Sequence, residues 1–154
     1  MSAAVKVKRS TVSSANIGQQ LDMRMLLSVV FLVMALLQLI SFSGFKDWFA
    51  AVGFSAPSAW AAVVVIVEII AALGFVRLAL PPMAKRLSWV CALLASGFWF
   101  FENVRLVSEN MSPQLSSSGF FGKYLAQSPS WWTILEASIL LLWALYALGI
   151  NDEK

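Results

Sequence analysis

The chain has 154 residues, of which 60% are hydrophobic and only 12% are charged, and its mean hydropathy is +0.79. Since an average soluble domain is about half apolar and about a quarter charged, this composition excludes an ordinary water-soluble fold. The chain has no histidine and one cysteine, Cys91, which excludes imidazole ligation of a metal or haem, histidine-based acid–base catalysis and an intramolecular dithiol mechanism. The net charge of +3 comes from short basic clusters between apolar runs, a distribution that indicates membrane topology and not nucleic-acid binding.

The apolar runs predict transmembrane helices. Crossing a hydrocarbon core of about 30 Å takes about 20 helical residues, and continuous runs favour helices because lipid offers no water to backbone groups. Residues 1–23 are polar, Ser-rich and basic, which predicts a cytoplasmic tail, with an organelle transit peptide as the alternative. The predicted domain covers residues 24–150 and is followed by a tail at 151–154. Its four spans are 24–43, 58–78, 87–107 and 131–150.

The basic residues predict the orientation of these spans. They are concentrated before the first span and between the second and third spans, whereas the first and third connections carry few. Lys and Arg in short loops are retained on the cytoplasmic side, so we expect both termini inside. The residues that decide this orientation are Lys6, Lys8, Arg9, Arg24, Arg77, Lys85 and Arg86.

A short amphipathic helix is predicted between the first two spans. Phe45, Trp48, Phe49 and Val52 recur at i, i+3, i+4 and i+7, which places them on one helical face. Charged residues occupy the other side, so this helix is expected to lie in the outer membrane interface.

Each span carries a polar residue that does not suit lipid: Gln38, Glu68, Glu102 and Glu136. An ionisable group in a span costs several kcal/mol and therefore normally faces the bundle interior. With a rise of about 1.5 Å per residue, Glu68 lies near the midplane and the other three roughly 9 Å inside the outer boundary. We therefore predict that the four side chains converge in a polar cavity in the outer half of the bundle.

These residues are assigned different roles. Glu102 and Arg105 lie at i and i+3, which predicts a structural ion pair. One base cannot compensate three buried acids, so at least one Glu is expected to be protonated. Glu68, Glu136 and Gln38 are the candidates for ligand binding or proton handling. The alternative is that these groups only lock the helices together, each hydrogen bond being worth about 1 kcal/mol or less in a membrane. No catalytic residue and no metal ligand is predicted.

Two segments carry a resemblance to a known family. Residues 44–57, GFKDWFAAVGFSAP, and residues 67–74, VEIIAALG, resemble the interfacial helix and the second-helix glutamate of the DoxX-like family of small four-helix bacterial membrane proteins. The resemblance covers about residues 24–107 well and the last helix loosely. It implies a link to quinone-coupled oxidation of sulfur compounds or to oxidoreductase complexes that handle thiol stress, and it implies that Glu68 is functional.

The expected function is that of an integral membrane subunit of a quinone-linked or thiol/sulfur-linked oxidoreductase complex. The subunit binds a lipid-soluble ligand, with quinone as the candidate, and is not catalytic by itself. Membrane lipids and the protein subunit that carries the redox centre are the expected partners, and no other cofactor is bound by this chain alone. One alternative is a structural or assembly subunit without a ligand. Another is a small proton-linked transporter.

Overall fold

The computed structural model describes residues 23–76, 80–111, 115–122, 124 and 127–149. These residues form five helices and no strand. Three of the helices, α1 (Met23–Ile40), α4 (Pro82–Ser108) and α5 (Trp131–Gly149), are long and apolar enough to cross a membrane. Helix α3 (Pro57–Leu73) is apolar as well but has 17 residues. The predicted tails lie outside the described residues, apart from Met23, which begins α1. The helices are α1 (Met23–Ile40), α2 (Phe42–Ala51), α3 (Pro57–Leu73), α4 (Pro82–Ser108) and α5 (Trp131–Gly149).

The chain passes from α1 to α2 without a loop. The Ser41 N–H still donates to the Leu37 carbonyl at 3.1 Å, and the Phe45 N–H donates to the Ser41 carbonyl at 2.9 Å. The Ser41 hydroxyl also donates to the Leu37 carbonyl at 2.7 Å, a side-chain bond that commonly bends a helix. The helix therefore changes direction at Ser41, two residues before the predicted end of the first span.

Helix α2 buries the face that its spacing predicted. Phe45, Trp48 and Phe49 are buried, and Val52 at the end of the helix is buried with them. Their rings meet Trp99 of α4, with centroids 6.2 Å from Phe45 and 5.7 Å from Trp48. Aromatic packing therefore attaches α2 to the side of the bundle.

Serine side chains join α1, α3 and α4 at the other end. Ser28 donates to the Ala72 carbonyl at 2.7 Å, and Ser88 donates to the carbonyls of Ile70 and Ala71 at 2.7 and 2.9 Å. Small polar residues of this kind let transmembrane helices approach closely. The C-terminal end of α3 is thus held from both sides.

The close approach also explains where α3 ends. A Cβ atom on Gly74 would lie 2.0 Å from the Ser88 hydroxyl oxygen, so only glycine allows this contact. The chain turns here, with the Phe75 N–H donating to the Ala72 carbonyl at 3.3 Å. The helix therefore stops at Leu73, before the predicted end of the second span at residue 78.

We predict that Gly74→Ala destabilises the protein by about 1–3 kcal/mol, the usual cost of forcing an extra methyl group into a packed contact. Gly97→Ala is the control, because Gly97 lies within α4 and a Cβ there would have no neighbour within 4 Å. Thermal unfolding of both variants in detergent measures the difference. Equal melting temperatures would show that the contact between α3 and α4 is loose.

The class of the protein follows from these helices. The described chain is helical, three of its helices meet the length and hydropathy of membrane spans, and the polar side chains of Gln38, Glu68 and Asn103 are buried inside the bundle. It is an all-α integral membrane protein.

Candidate functional site

The central polar group of the bundle consists of Gln38, Glu68 and Trp99, which we call the Glu68 cluster. Gln38 comes from α1, Glu68 from α3 and Trp99 from α4, and all three side chains are fully buried. Glu68 Oε1 accepts from Trp99 Nε1 at 2.7 Å and from Gln38 Nε2 at 3.2 Å. One carboxyl oxygen therefore holds three helices together.

Gln38 also connects this cluster to the outer connection between α4 and α5. Its Nε2 donates a second hydrogen bond, 3.0 Å long, to the Phe120 carbonyl. Turning the amide over would bring its oxygen against two acceptors, so the orientation is fixed by its surroundings. Both amide N–H groups of Gln38 are therefore used.

Two oxygens of the cluster have no donor. Among the described residues, Gln38 Oε1 and Glu68 Oε2 are buried and make no hydrogen bond. A buried polar atom without a partner is uncommon and needs a physical explanation. These two atoms belong to side chains that already touch each other.

The outer connection lies over the Glu68 cluster as a cover, formed by residues 115–122. Trp48 Nε1 donates to the Ser117 carbonyl at 2.9 Å, and the Phe120 ring packs 5.3 Å from the Trp99 ring. Gly119 and Gly122 adopt positive φ angles of 82° and 61°. A Cβ on Gly119 would come within 2.7 Å of the Trp48 ring, and one on Gly122 within 2.2 Å of the Ser41 hydroxyl. The cover is therefore seated directly on α1 and α2.

Glu102 lies apart from the Glu68 cluster and contacts Arg105. Arg105 Nε donates to Glu102 Oε2 at 3.2 Å, and Arg105 Nη2 contacts Glu102 Oε1 as well. The same Nη2 donates to the Val52 carbonyl at 3.0 Å. The pair thus ties α4 to the end of α2.

Glu136 does not join the other polar residues. Its side chain is exposed on α5 and makes no hydrogen bond or ion pair with any described residue. It lines a separate groove of about 280 Å³ between α1 and α5. We call this the α1/α5 groove. Its lining consists of Val30, Phe120, Phe121, Glu136, Ile139, Leu140 and Trp143.

The structure therefore divides the residues predicted to share one cavity. Gln38 and Glu68 meet, Glu102 pairs with Arg105, and Glu136 faces a different groove. The reason is the rotation of α5, which turns Ala137, Leu140 and Ala144 inward and leaves Glu136 at the edge of the packed face.

Trp99 and the Phe120 carbonyl are the site groups that the sequence analysis missed. Trp99 could have been identified from its position, because a tryptophan well inside a span lies away from the interfaces where tryptophan is usual. A buried indole N–H also needs an acceptor. The Phe120 carbonyl carried none, since every residue has one.

A family model places part of the chain beside a known family. The DoxX family model matches residues 20–78, a segment that contains α1, α2, α3 and two residues of the Glu68 cluster. The resemblance is confirmed over this segment, and the chain is DoxX-like there. No curated protein and no solved structure matches the chain.

We predict that Arg105→Gln destabilises the protein more than Glu102→Gln. Removing the guanidinium leaves the nearly buried Glu102 carboxylate without its base, whereas removing the carboxylate leaves Arg105 bonded to the Val52 carbonyl. Since Arg105 is partly exposed, we expect about 1–3 kcal/mol for Arg105→Gln and a partial recovery in the double variant.

Glu109→Gln is the control for this comparison. Glu109 is exposed and its oxygen lies 3.5 Å from Arg105 Nη1, so we expect a change within about 0.5 kcal/mol. Unfolding in detergent provides all four values. Equal losses for Arg105→Gln and Glu109→Gln would contradict a structural role for the pair between Glu102 and Arg105.

Proposed function

We propose that this protein is a membrane subunit of a quinone-linked or thiol/sulfur-linked oxidoreductase complex, and that it holds a lipid-soluble ligand in the α1/α5 groove. The redox centre belongs to a partner subunit. The DoxX-like assignment supports the class of complex, and the groove supports the ligand.

We place the protein in a bacterial inner membrane, with an organelle membrane as the alternative, as a four-span bundle with both ends inside. The fourth span is α3. Its 17 residues extend about 26 Å at about 1.5 Å per residue, near the lower limit for a membrane span. Its packing supports this, since Ser28 of α1 and Ser88 of α4 both donate to its carbonyls.

The observation that carries the ligand proposal is the chemistry of the α1/α5 groove. Most of its lining is aliphatic or aromatic, yet it contains the Glu136 carboxyl group, which makes no hydrogen bond or ion pair with any described residue. Binding sites for small molecules commonly combine apolar walls with a few polar groups that fix orientation. An isolated acid in a span costs several kcal/mol unless something pairs with it.

This arrangement selects a ligand with hydrogen-bond-accepting oxygens. A protonated Glu136 is a hydrogen-bond donor. A quinone carries carbonyl acceptors on a flat apolar ring, so its chemistry suits this acid and the aromatic walls at Phe120 and Phe121. The chain would bind and orient the ligand, while electrons pass to or from the partner.

A structural subunit without a ligand is the second candidate. It is supported by the Glu68 cluster, whose hydrogen bonds join three helices and the outer connection in a closed, fully buried arrangement. A cluster of this kind stabilises a bundle without any ligand. The two candidates differ in whether the α1/α5 groove is occupied.

The test is purification in mild detergent followed by mass spectrometry of co-eluting proteins and extracted small molecules. We predict that Ile139→Trp, which fills the groove, lowers the amount of bound quinone several-fold. Leu142→Trp is the matched control, because Leu142 is exposed on the same helix but does not line the groove.

Recovery of a redox enzyme together with a quinone that Ile139→Trp displaces would support the first candidate. A stable assembly that contains no extractable quinone, and that both variants leave intact, would make the protein a structural subunit.

A further inference from the structure

The unpaired oxygens of the Glu68 cluster carry information about its protonation. Gln38 Oε1 and Glu68 Oε2 are both acceptors when the carboxyl group is ionised, and neither has a donor among the described residues. They belong to side chains already joined by the bond from Gln38 Nε2 to Glu68 Oε1 at 3.2 Å. A proton on Glu68 Oε2 would turn one of these two acceptors into a donor.

We propose that Glu68 is protonated and donates from Oε2 to Gln38 Oε1, and that this proton acts as a latch that holds the outer connection closed. The two side chains then form a reciprocal pair, in which the amide donates to one carboxyl oxygen and the acid donates back to the amide oxygen. Loss of the proton opens the latch.

The hydrogen-bond count of the cluster is complete only with this proton. Glu68 Oε1 accepts from Trp99 and from Gln38, and the second amide N–H donates to the Phe120 carbonyl. The acid proton supplies the one missing donor to Gln38 Oε1. Buried polar networks are stable when every member is satisfied and costly when one is not.

Among the described residues, Glu68 is paired with no basic side chain. On α4, Arg105 is paired with Glu102 and Glu109; on α2, Lys46 is paired with Asp47 at the surface. Helix α1 presents Gln38, with Arg24 near its other end, and α5 carries only the acid Glu136 in its described part. A buried carboxylate without a cation is strongly disfavoured.

The latch depends on the two hydrogen bonds that the Gln38 amide nitrogen donates. One N–H holds Glu68 and the other holds the Phe120 carbonyl. When the proton leaves to water, Gln38 Oε1 faces a carboxylate oxygen, and the amide must turn to relieve the repulsion. Its second bond to Phe120 is then lost, while the Trp48 bond to the Ser117 carbonyl is untouched. Opening is therefore confined to the part of the cover around residues 118–122.

The pH dependence of the closed form follows from where the proton is bound. The closed form contains the proton, so it is favoured at lower pH and weakened as pH rises. This inference does not depend on the proposed ligand, because it rests only on the Glu68 cluster and the cover.

The test measures the accessibility of the cover with a thiol reporter in full-length protein. Cys91→Ala removes the native thiol, Ser118→Cys reports on a buried position of the cover, and Ser116→Cys reports on an exposed one. The ratio of their labelling rates with a polar maleimide removes the intrinsic pH dependence of thiols. We expect this ratio to rise about tenfold from neutral to alkaline pH, a change that corresponds to about 1.4 kcal/mol.

Glu68→Gln and Gln38→Leu complete the experiment. A glutamine at position 68 keeps a donor to Gln38 Oε1 but has no proton to lose, so its ratio should stay low at every pH. Gln38→Leu removes the latch, so its ratio should be high at every pH. A wild-type ratio that does not change with pH, or a Glu68→Gln ratio that rises as the wild-type ratio does, would overturn the latch.

Infrared spectroscopy tests the proton itself and does not require Gln38→Leu to fold. A carboxylic acid has a carbonyl stretch distinct from that of a carboxylate. We expect an acid band at neutral pH that is missing in Glu68→Gln and retained in Glu136→Gln. If Glu68→Gln removes no acid band, the protonated pair is excluded.

Discussion

The need to satisfy a buried carboxyl group in a hydrocarbon environment organises this structure. Glu68 is fully buried, so its hydrogen-bond partners have to be protein groups. Gln38 and Trp99 therefore have to be delivered by two other helices, which fixes how α1 and α4 are rotated about α3. The rest of the bundle is built around this orientation, with serine contacts near the ends of α3 and α4 and aromatic packing on the opposite side.

The outer connection is part of the same arrangement and not a loose loop. Its Phe120 carbonyl takes the second Gln38 N–H, and its Ser117 carbonyl takes the Trp48 N–H. Both of these bonds use backbone carbonyls and side chains of α1 and α2. Because Phe120 also lines the α1/α5 groove, the cover connects the Glu68 cluster with that groove.

Sequence reasoning reached part of this site, for a clear reason. The contact between Gln38 and Glu68 was predictable because each is a polar residue within a span, and a buried polar group must face another one. Glu136 was misplaced because the inward face of α5 is set by Ala137, Leu140 and Ala144, whose packing partners are invisible in the sequence. The Phe120 carbonyl was out of reach, since the path of a connection determines which backbone groups point inward.

Gly119 and Gly122 have a consequence for how sequences of this kind diverge. Each has a positive φ, and each leaves no room for a Cβ, the first against the Trp48 ring and the second against the Ser41 hydroxyl. A homologue that keeps this cover can replace either glycine only by changing its opposite residue as well. Covariation between positions 119 and 48, and between 122 and 41, would therefore mark the relatives that retain a closed outer connection, whereas relatives that vary freely at these positions have given it up.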